Sequence, residues 1–132
     1  MSRAGEIRNL SRLIEPHIGI ITNIGEAHIE NFRSVYGIAK AKSEIIDSIS
    51  KGGTIILNRD DKFFNYFAKI AQKNKIKIKS FGYSKKSNVR FINLSRKQGF
   101  FFLSLTLDKK KILLKINNRN KSYIMNILSC VA

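Results

Sequence analysis

The sequence predicts an α/β fold: a mostly parallel sheet with flanking helices, followed by a small antiparallel β meander. Two observations carry this. Up to residue 83, stretches with apolar residues at helical spacing alternate with short β-branched runs, helix then strand, three times over. After Tyr83 the chain changes to short alternating or wholly apolar runs separated by tight breaks, the pattern of strands joined by hairpins.

The first helix is read over GEIRNLSRLI (5–14), where Ile7, Leu10, Leu13 and Ile14 form one apolar stripe, and Pro16 stops it. IGIIT (18–22) is too short for a buried helix and β-branched enough for a core strand. Ser34 is placed to cap a helix near 35–49 that buries Ile38, Ala41, Ile45 and Ile49, and Gly52-Gly53 ends it. A second strand, Thr54 to Leu57, leads to Asn58 and the Asp60-Asp61 pair. One of those carboxylates can cap the next helix, which carries Phe63, Phe64, Phe67, Ile70 and Ala71. Residues 75–83 give a third strand with Ile76, Ile78 and Phe81 on its apolar side. VRFINL, FFFLSLTL and KILLKI form the meander, and 122–132 is a helix through Ile124, Ile127, Leu128 and Val131.

The 132 residues suffice for one domain, and an apolar content of 43% suffices for a core. No 18-residue apolar run is present, so no membrane span is expected, and MSRAGEIRN lacks the apolar centre of a signal peptide. A single cysteine, Cys130, allows no internal disulfide and fits a reducing, cytoplasmic setting. The net charge of +16 is unevenly spread: residues 1–61 hold 8 Lys/Arg against 8 Asp/Glu, whereas 62–132 hold 17 against Asp108 alone. The excess is lysine scattered among Ile and Asn, with no nucleic-acid recognition motif. A solvated basic face is therefore preferred to a nucleic-acid partner.

The chain is organised around IITNIGEAHIENFRSVYGIAKAKSE, Ile20 to Glu44. A strand ends at Thr22-Asn23, the chain breaks at Gly25, and a polar cluster of Glu26, His28 and Glu30 precedes a helix with Lys40, Lys42 and Glu44. That is the order found where a sheet strand ends at a ligand site. An imidazole among carboxylates can hold a divalent ion, although a single histidine is more often an exposed loop residue; His17 beside Pro16 carries no such signal. Lys40 and Glu44 are spaced to face each other as a surface ion pair, with Lys42 pointing elsewhere. The sequence contains no GxxxxGK[ST] phosphate loop.

Together with GEI at Gly5 to Ile7 and LNRDD at Leu57 to Asp61, this stretch resembles the central domain of the Mur ligases, specifically the branch that adds D-alanyl-D-alanine to UDP-muramoyl-tripeptide. The resemblance covers most of the chain and is strongest from Gly5 to Asp61. It implies an incomplete central ATP-binding domain over 1–132: an α/β part (1–83), the meander (84–117) and a closing helix (118–132). It implies ATP and Mg2+ as cofactors, and UDP-N-acetylmuramoyl-tripeptide and D-alanyl-D-alanine as substrates of the full-length enzyme. The chemistry implied is an acyl-phosphate route in peptidoglycan precursor synthesis.

Position by position, the resemblance makes His28 a metal ligand and Lys42 a lysine that is carbamylated, and so a metal ligand too. It sets Asn23 near substrate or phosphates, and assigns Asn58, Asp60 and Asp61 a structural role. In place of the family's G-x-H-N-x-x-N stands NKSYIMN (120–126): Asn126 keeps the last asparagine against the adenine, Tyr123 replaces the first with a ring that can stack on the base, and Asn120 replaces the turn glycine. On this reading the phosphate loop, an acidic metal ligand and the UDP-sugar-receiving domain lie upstream of Met1, and the C-terminal domain beyond Ala132. The segment alone is then expected to be inactive. The rival reading is a small basic nucleic-acid-binding protein using 62–121, with Phe91 and Phe100 to Phe102 among lysines.

Overall fold

The structure, a computed structural model, describes residues 5–25, 32 and 34–132. The elements run α1 (Glu6–Ile14), β1 (Ile18–Ile21), α2 (Val35–Ser43), a 3-10 turn (Ile46–Ser48), β2 (Thr54–Asn58), α3 (Phe64–Lys73) and β3 (Lys77–Gly82). They continue with β4 (Val89–Lys97), β5 (Phe100–Leu107), β6 (Lys110–Ile116) and α4 (Lys121–Val131). All six strands form one sheet in sequence order. Pairing is parallel from β1 to β4 and antiparallel from β4 to β6. The expected α/β sheet with a terminal meander is the observed architecture.

Strands β1 to β3 run in register, Ile21 beside Leu57 and Asn58 beside Phe81. Their carboxyl ends, and the polar residues that follow them, therefore meet along one edge. β2 is buried on both faces over its centre, which is why Ile55, Ile56 and Leu57 are all apolar. Ile55 and Leu57 pack beneath α2 and α3 with Ala39, Phe67 and Ala71. Ile56 points to the opposite face, where Phe81, Val89, Leu103 and Leu105 pack against Ile124 and Leu128 of α4.

A parallel connection normally needs a crossover helix, yet β3 and β4 are linked by residues 83–88 alone. They pair only through Phe81 with Val89 and Gly82 with Arg90, so β4 begins where β3 ends and little chain must return. Asn88 fixes that corner: its carboxamide oxygen accepts from the Ser80 N–H (2.9 Å) and Ser80 Oγ (3.0 Å).

Four local expectations are corrected. The helix expected over 35–49 ends at Ser43, where the N–H groups of Glu44 and Ile45 bond carbonyls three residues back, at Ala41 and Lys42, and the chain tightens into the 3-10 turn. Ile38, Ala41 and Ile49 are still buried. Phe81 faces away from Ile76 and Ile78, because residues an odd number apart on a strand lie on opposite faces. Leu10, Leu13 and Ile14 of the α1 stripe point outward, Leu13 84% exposed, and only Ile7 is half-buried, whereas Ser11 is the residue that is buried, its Oγ 2.8 Å from Ser48 Oγ. Finally, Glu44 does not pair with Lys40: it is buried, and its carboxylate accepts from the N–H groups of Gly5 and Arg8 at the start of α1.

Candidate functional site

Beyond the carboxyl ends of β1 to β3 lies a cleft of about 680 Å³. Thr22, Asn23 and Ile24 line it after β1, and Asn58, Asp60, Asp61 and Lys62 after β2. Tyr83 follows β3, and Lys121, Ser122, Met125 and Asn126 come from the first turns of α4. The wall was built by local hydrogen bonding. Asn58 Oδ1 accepts from the Asp60 N–H (3.0 Å), turning the chain sharply after β2. Asp61 bridges two loops, accepting from the Ile24 N–H (2.8 Å) and the Phe63 N–H (2.8 Å). Asp60 accepts from the N–H groups of Tyr83 (2.5 Å) and Ser84 (3.0 Å), drawing the end of β3 to the end of β2. A Cβ on Gly82, whose φ is +143°, would run into that Asp60 carboxylate, so the strand end needs glycine.

The structural role expected for Asn58, Asp60 and Asp61 thus has a physical content: three short polar side chains tie the ends of three strands together. Capping of α3 is indirect. Phe63 occupies the cap position without a side-chain bond, and Asp61 holds the turn before it. Ser34 does cap α2, its Oγ accepting from the Gly37 N–H at 3.1 Å.

Lys42 stands beside the cleft. Its Nζ donates to the Asn23 carbonyl at 2.8 Å, which joins α2 to the loop after β1. Burial pushes the Lys42 ammonium below its ordinary pKa; the negative charge of Asp61 acts in the opposite direction. A lysine held so has a larger share of neutral, nucleophilic amine than a solvated one. Asn23 and Asn126 both line the cleft. Tyr123 does not: Ser122, Met125 and Asn126 share one helix face, and Tyr123 is turned from it by the 3.6-residue period. His28, with Glu26 and Glu30, lies outside the described residues. Among the described residues no three His, Cys, Asp or Glu side chains gather as a metal site.

Asn120, where the family motif has glycine, adopts an extended backbone (φ −62°, ψ 134°), and its Oδ1 accepts from the Ser122 N–H at 2.8 Å. The turn needs no left-handed residue, and asparagine suits it as a helix cap. Tyr83, Lys62 and Lys121 were not singled out in the sequence. Lys121 sits inside the NKSYIMN motif, Tyr83 directly follows β3, and Lys62 lies in the loop between β2 and α3; position after a parallel strand was the available signal.

The lining suits a phosphorylated, planar ligand: two ammonium groups, three carboxamides (Asn23, Asn58 and Asn126) and one aromatic ring, while the Asp60 and Asp61 carboxylates are already engaged by backbone N–H groups. No helix among the described residues is long and apolar enough to cross a membrane.

Comparison with known proteins agrees with this fold. The chain is 39% identical over 93 residues to the UDP-N-acetylmuramoyl-tripeptide--D-alanyl-D-alanine ligase of Rickettsia prowazekii, covering 70% of this chain and 21% of that protein. It is 37% identical over 87 residues to the ligase of the same name from Buchnera aphidicola, covering 66% and 19%. The chain therefore spans about a fifth of the length of these relatives. A crystal structure of MurF from Acinetobacter baumannii superposes with a TM-score of 0.88 at 25% identity, over 99% of this chain and 28% of that one. MurF from Thermotoga maritima, crystallised with ADP, has the same fold (TM-score 0.84, 21% identity, 98% and 30% covered). The Mur ligase middle domain matches all of residues 1–132, and the chain belongs to that family.

Proposed function

We propose that these residues form the nucleotide-holding part of a D-alanyl-D-alanine-adding Mur ligase, a cytoplasmic, ATP- and Mg2+-dependent enzyme of peptidoglycan precursor synthesis. On this reading 1–132 is an incomplete central domain, divided into an α/β part (1–83), a meander (84–117) and a closing helix (118–132). The observation that carries it is the cleft at the strand ends, where Asn126 and Lys121 of α4 face Asn23, Asn58 and Lys62 across about 680 Å³.

In the reaction proposed, the carboxylate of UDP-N-acetylmuramoyl-tripeptide attacks the γ-phosphorus of ATP and releases ADP. The amine of D-alanyl-D-alanine then attacks the acyl phosphate, forming the amide bond and releasing phosphate and a proton. Asn126 hydrogen-bonds the adenine edge, Tyr123 standing on the next helix face, while Lys62 and Lys121 offset phosphate charge. Asn23, fixed through its carbonyl by Lys42, borders the phosphates. A Mg2+ ion held here would supply positive charge to offset that of the phosphates.

Lys42 and His28 are the proposed metal ligands. An ammonium cannot ligate a cation, so Lys42 first adds CO2: its amine nitrogen bonds the carbon, one proton leaves, and a carbamate results. The lowered pKa and the position beside the cleft support that step. The sequence carries no phosphate-cradling glycine loop, so binding without turnover is assigned to these 132 residues by themselves.

The experiment is a titration of the chain with ADP and Mg2+ by calorimetry, beside an assay of phosphate release with ATP, the UDP-tripeptide and D-alanyl-D-alanine. Binding of ADP without phosphate release is expected. Absence of ADP binding at millimolar concentration would defeat the reading.

One observation favours the nucleic-acid alternative: Phe100 is exposed, with Lys115 Nζ 3.3 Å from its ring centroid. Phe91 and Phe101, however, pack against the core around Leu103 and Leu105. Tight, steeply salt-dependent binding of single strands at physiological salt would elevate this alternative.

A further inference from the structure

Tyr83 is the one aromatic side chain among the described residues that line the cleft. Its backbone is fixed from two sides. The preceding Gly82 is the last residue of β3, and the N–H groups of Tyr83 and Ser84 are both held by Asp60. Its ring is backed by Phe91 of β4, centroid to centroid 4.9 Å at 56° between planes, and Lys121 Nζ stands 5.7 Å from the ring centroid. Even so, 39% of the residue remains exposed. A ring immobilised from behind and open to a polar cleft loses little freedom when a flat ligand covers it.

The neighbours give that ligand its chemistry. Asn126 and Asn58 offer carboxamides that can meet the donor and acceptor edge of a base, and Met125 offers an apolar, polarisable surface. Lys121, whose ammonium lies over the ring at 5.7 Å from its centroid, supplies positive charge next to the base position. We propose that Tyr83 is the stacking surface for the nucleotide base in this cleft, a role the NKSYIMN motif would have given to Tyr123. This rests on the nucleotide reading above and deepens it. Every base has a π-face, so the ring contributes affinity for the base as such, while the carboxamides discriminate among bases.

The test uses the 132-residue chain with ¹³C-labelled tyrosine rings, titrated with ADP and, separately, with inorganic tripolyphosphate. ADP is expected to shift the Tyr83 ring signals strongly upfield and to leave those of Tyr123 nearly unmoved. Tyr83→Ala should weaken ADP about tenfold or more, from the usual strength of base–aromatic stacking, with tripolyphosphate affinity unchanged. Tyr83→Phe should bind ADP nearly as the parent does. Because alanine leaves Phe91 without its neighbour, Tyr83→Leu serves as the packed control; it should also lose ADP affinity while keeping the parent's amide spectrum. Unchanged ADP affinity in Tyr83→Leu, or a ring shift at Tyr123 in place of Tyr83, overturns the stacking role and leaves nucleotide binding standing. Failure of the parent chain to bind ADP removes both. Equal loss of ADP and tripolyphosphate in the variants also overturns the proposal, since it would assign Tyr83 to the phosphates or to the fold.

Discussion

The carboxylate of Glu44 accepts from the Gly5 N–H with both oxygens, at 2.8 and 3.1 Å. One of those oxygens also takes the Arg8 N–H at 3.1 Å. A buried anion at the end of α2 thus occupies the positive end of α1, satisfying N–H groups that have no partner within their own helix. Since Leu10, Leu13 and Ile14 of α1 face outward, this polar anchor, with Ser11 to Ser48 and Arg8 to Asp47 (3.9 Å), holds the helix in place. Glu44→Ala is expected to cost about 2 kcal/mol in urea unfolding and to raise amide exchange throughout α1. A cost no larger than that of an exposed control such as Glu15→Ala would mean that α1 is anchored some other way.

Asp61 makes a second prediction, because it joins the loop after β1 to the turn before α3 by two bonds of 2.8 Å. Asp61→Ala leaves the N–H groups of Ile24 and Phe63 without those partners, and should destabilise the chain by about 2 kcal/mol. It also removes the charge that partly offsets the effect of burial on Lys42. The Lys42 pKa should therefore fall further, which ¹³Cε chemical-shift titration reads directly. An unchanged or raised Lys42 pKa in this variant would contradict the electrostatic arrangement described.

The sheet was legible because β2 and its neighbours are short, β-branched and bounded by helices at the right spacing, and because the meander strands are separated by tight turns. The cleft was legible only as the place where strands end. Lys42, Asn23 and Asn126 were found because they fall in recognisable motifs; Tyr83 was missed because nothing local distinguishes a ring that packs from one that lines a cavity. Its role depends on Phe91 and Asp60, which are distant in sequence. The reversal at α1 has a similar origin. Periodicity marks Leu10, Leu13 and Ile14 as one face, but only the capping of Gly5 by Glu44 decides which way that face points.

Asp108 carries a pH prediction. Located in the turn between β5 and β6, it accepts from Asn88 Nδ2 (3.1 Å) and pairs with Lys79 Nζ (3.1 Å), tying that turn to β3 and the start of β4. The Asn88 carboxamide first, and then the Lys79 ammonium, hold its carboxyl below the ordinary 3.8. A depressed folded-state pKa means that the unfolded chain binds the proton more readily. The stabilisation is therefore fully present above 3.8 and fades as pH falls through the lower folded value. Asn88→Ala should move the Asp108 pKa up toward its ordinary value and shrink the acid-side loss assigned to this residue. Carboxyl ¹³C titration checks the first point and acid unfolding midpoints the second; an unmoved Asp108 pKa would refute the assignment.

Lys42 gives the prediction that bears most directly on chemistry. Carbamylation requires an unprotonated amine, and among the chain's lysines and arginines Lys42 combines a burial-lowered pKa with a fixed position beside the cleft. Its hydrogen bond to the Asn23 carbonyl uses one N–H, leaving the nitrogen able to carry the new carboxylate once a proton departs. In ¹³C-bicarbonate at mildly alkaline pH, one carbamate signal is expected in the parent chain beyond the background from exposed lysines. That signal should grow with Mg2+ and vanish in Lys42→Arg, which keeps the positive charge but does not form a stable carbamate under these conditions. Lys40→Arg, two residues away on the exposed side of α2, should leave it unchanged. A carbamate signal that survives Lys42→Arg would place the modification elsewhere, and its absence from the parent with Mg2+ present would remove Lys42 from the proposed metal site.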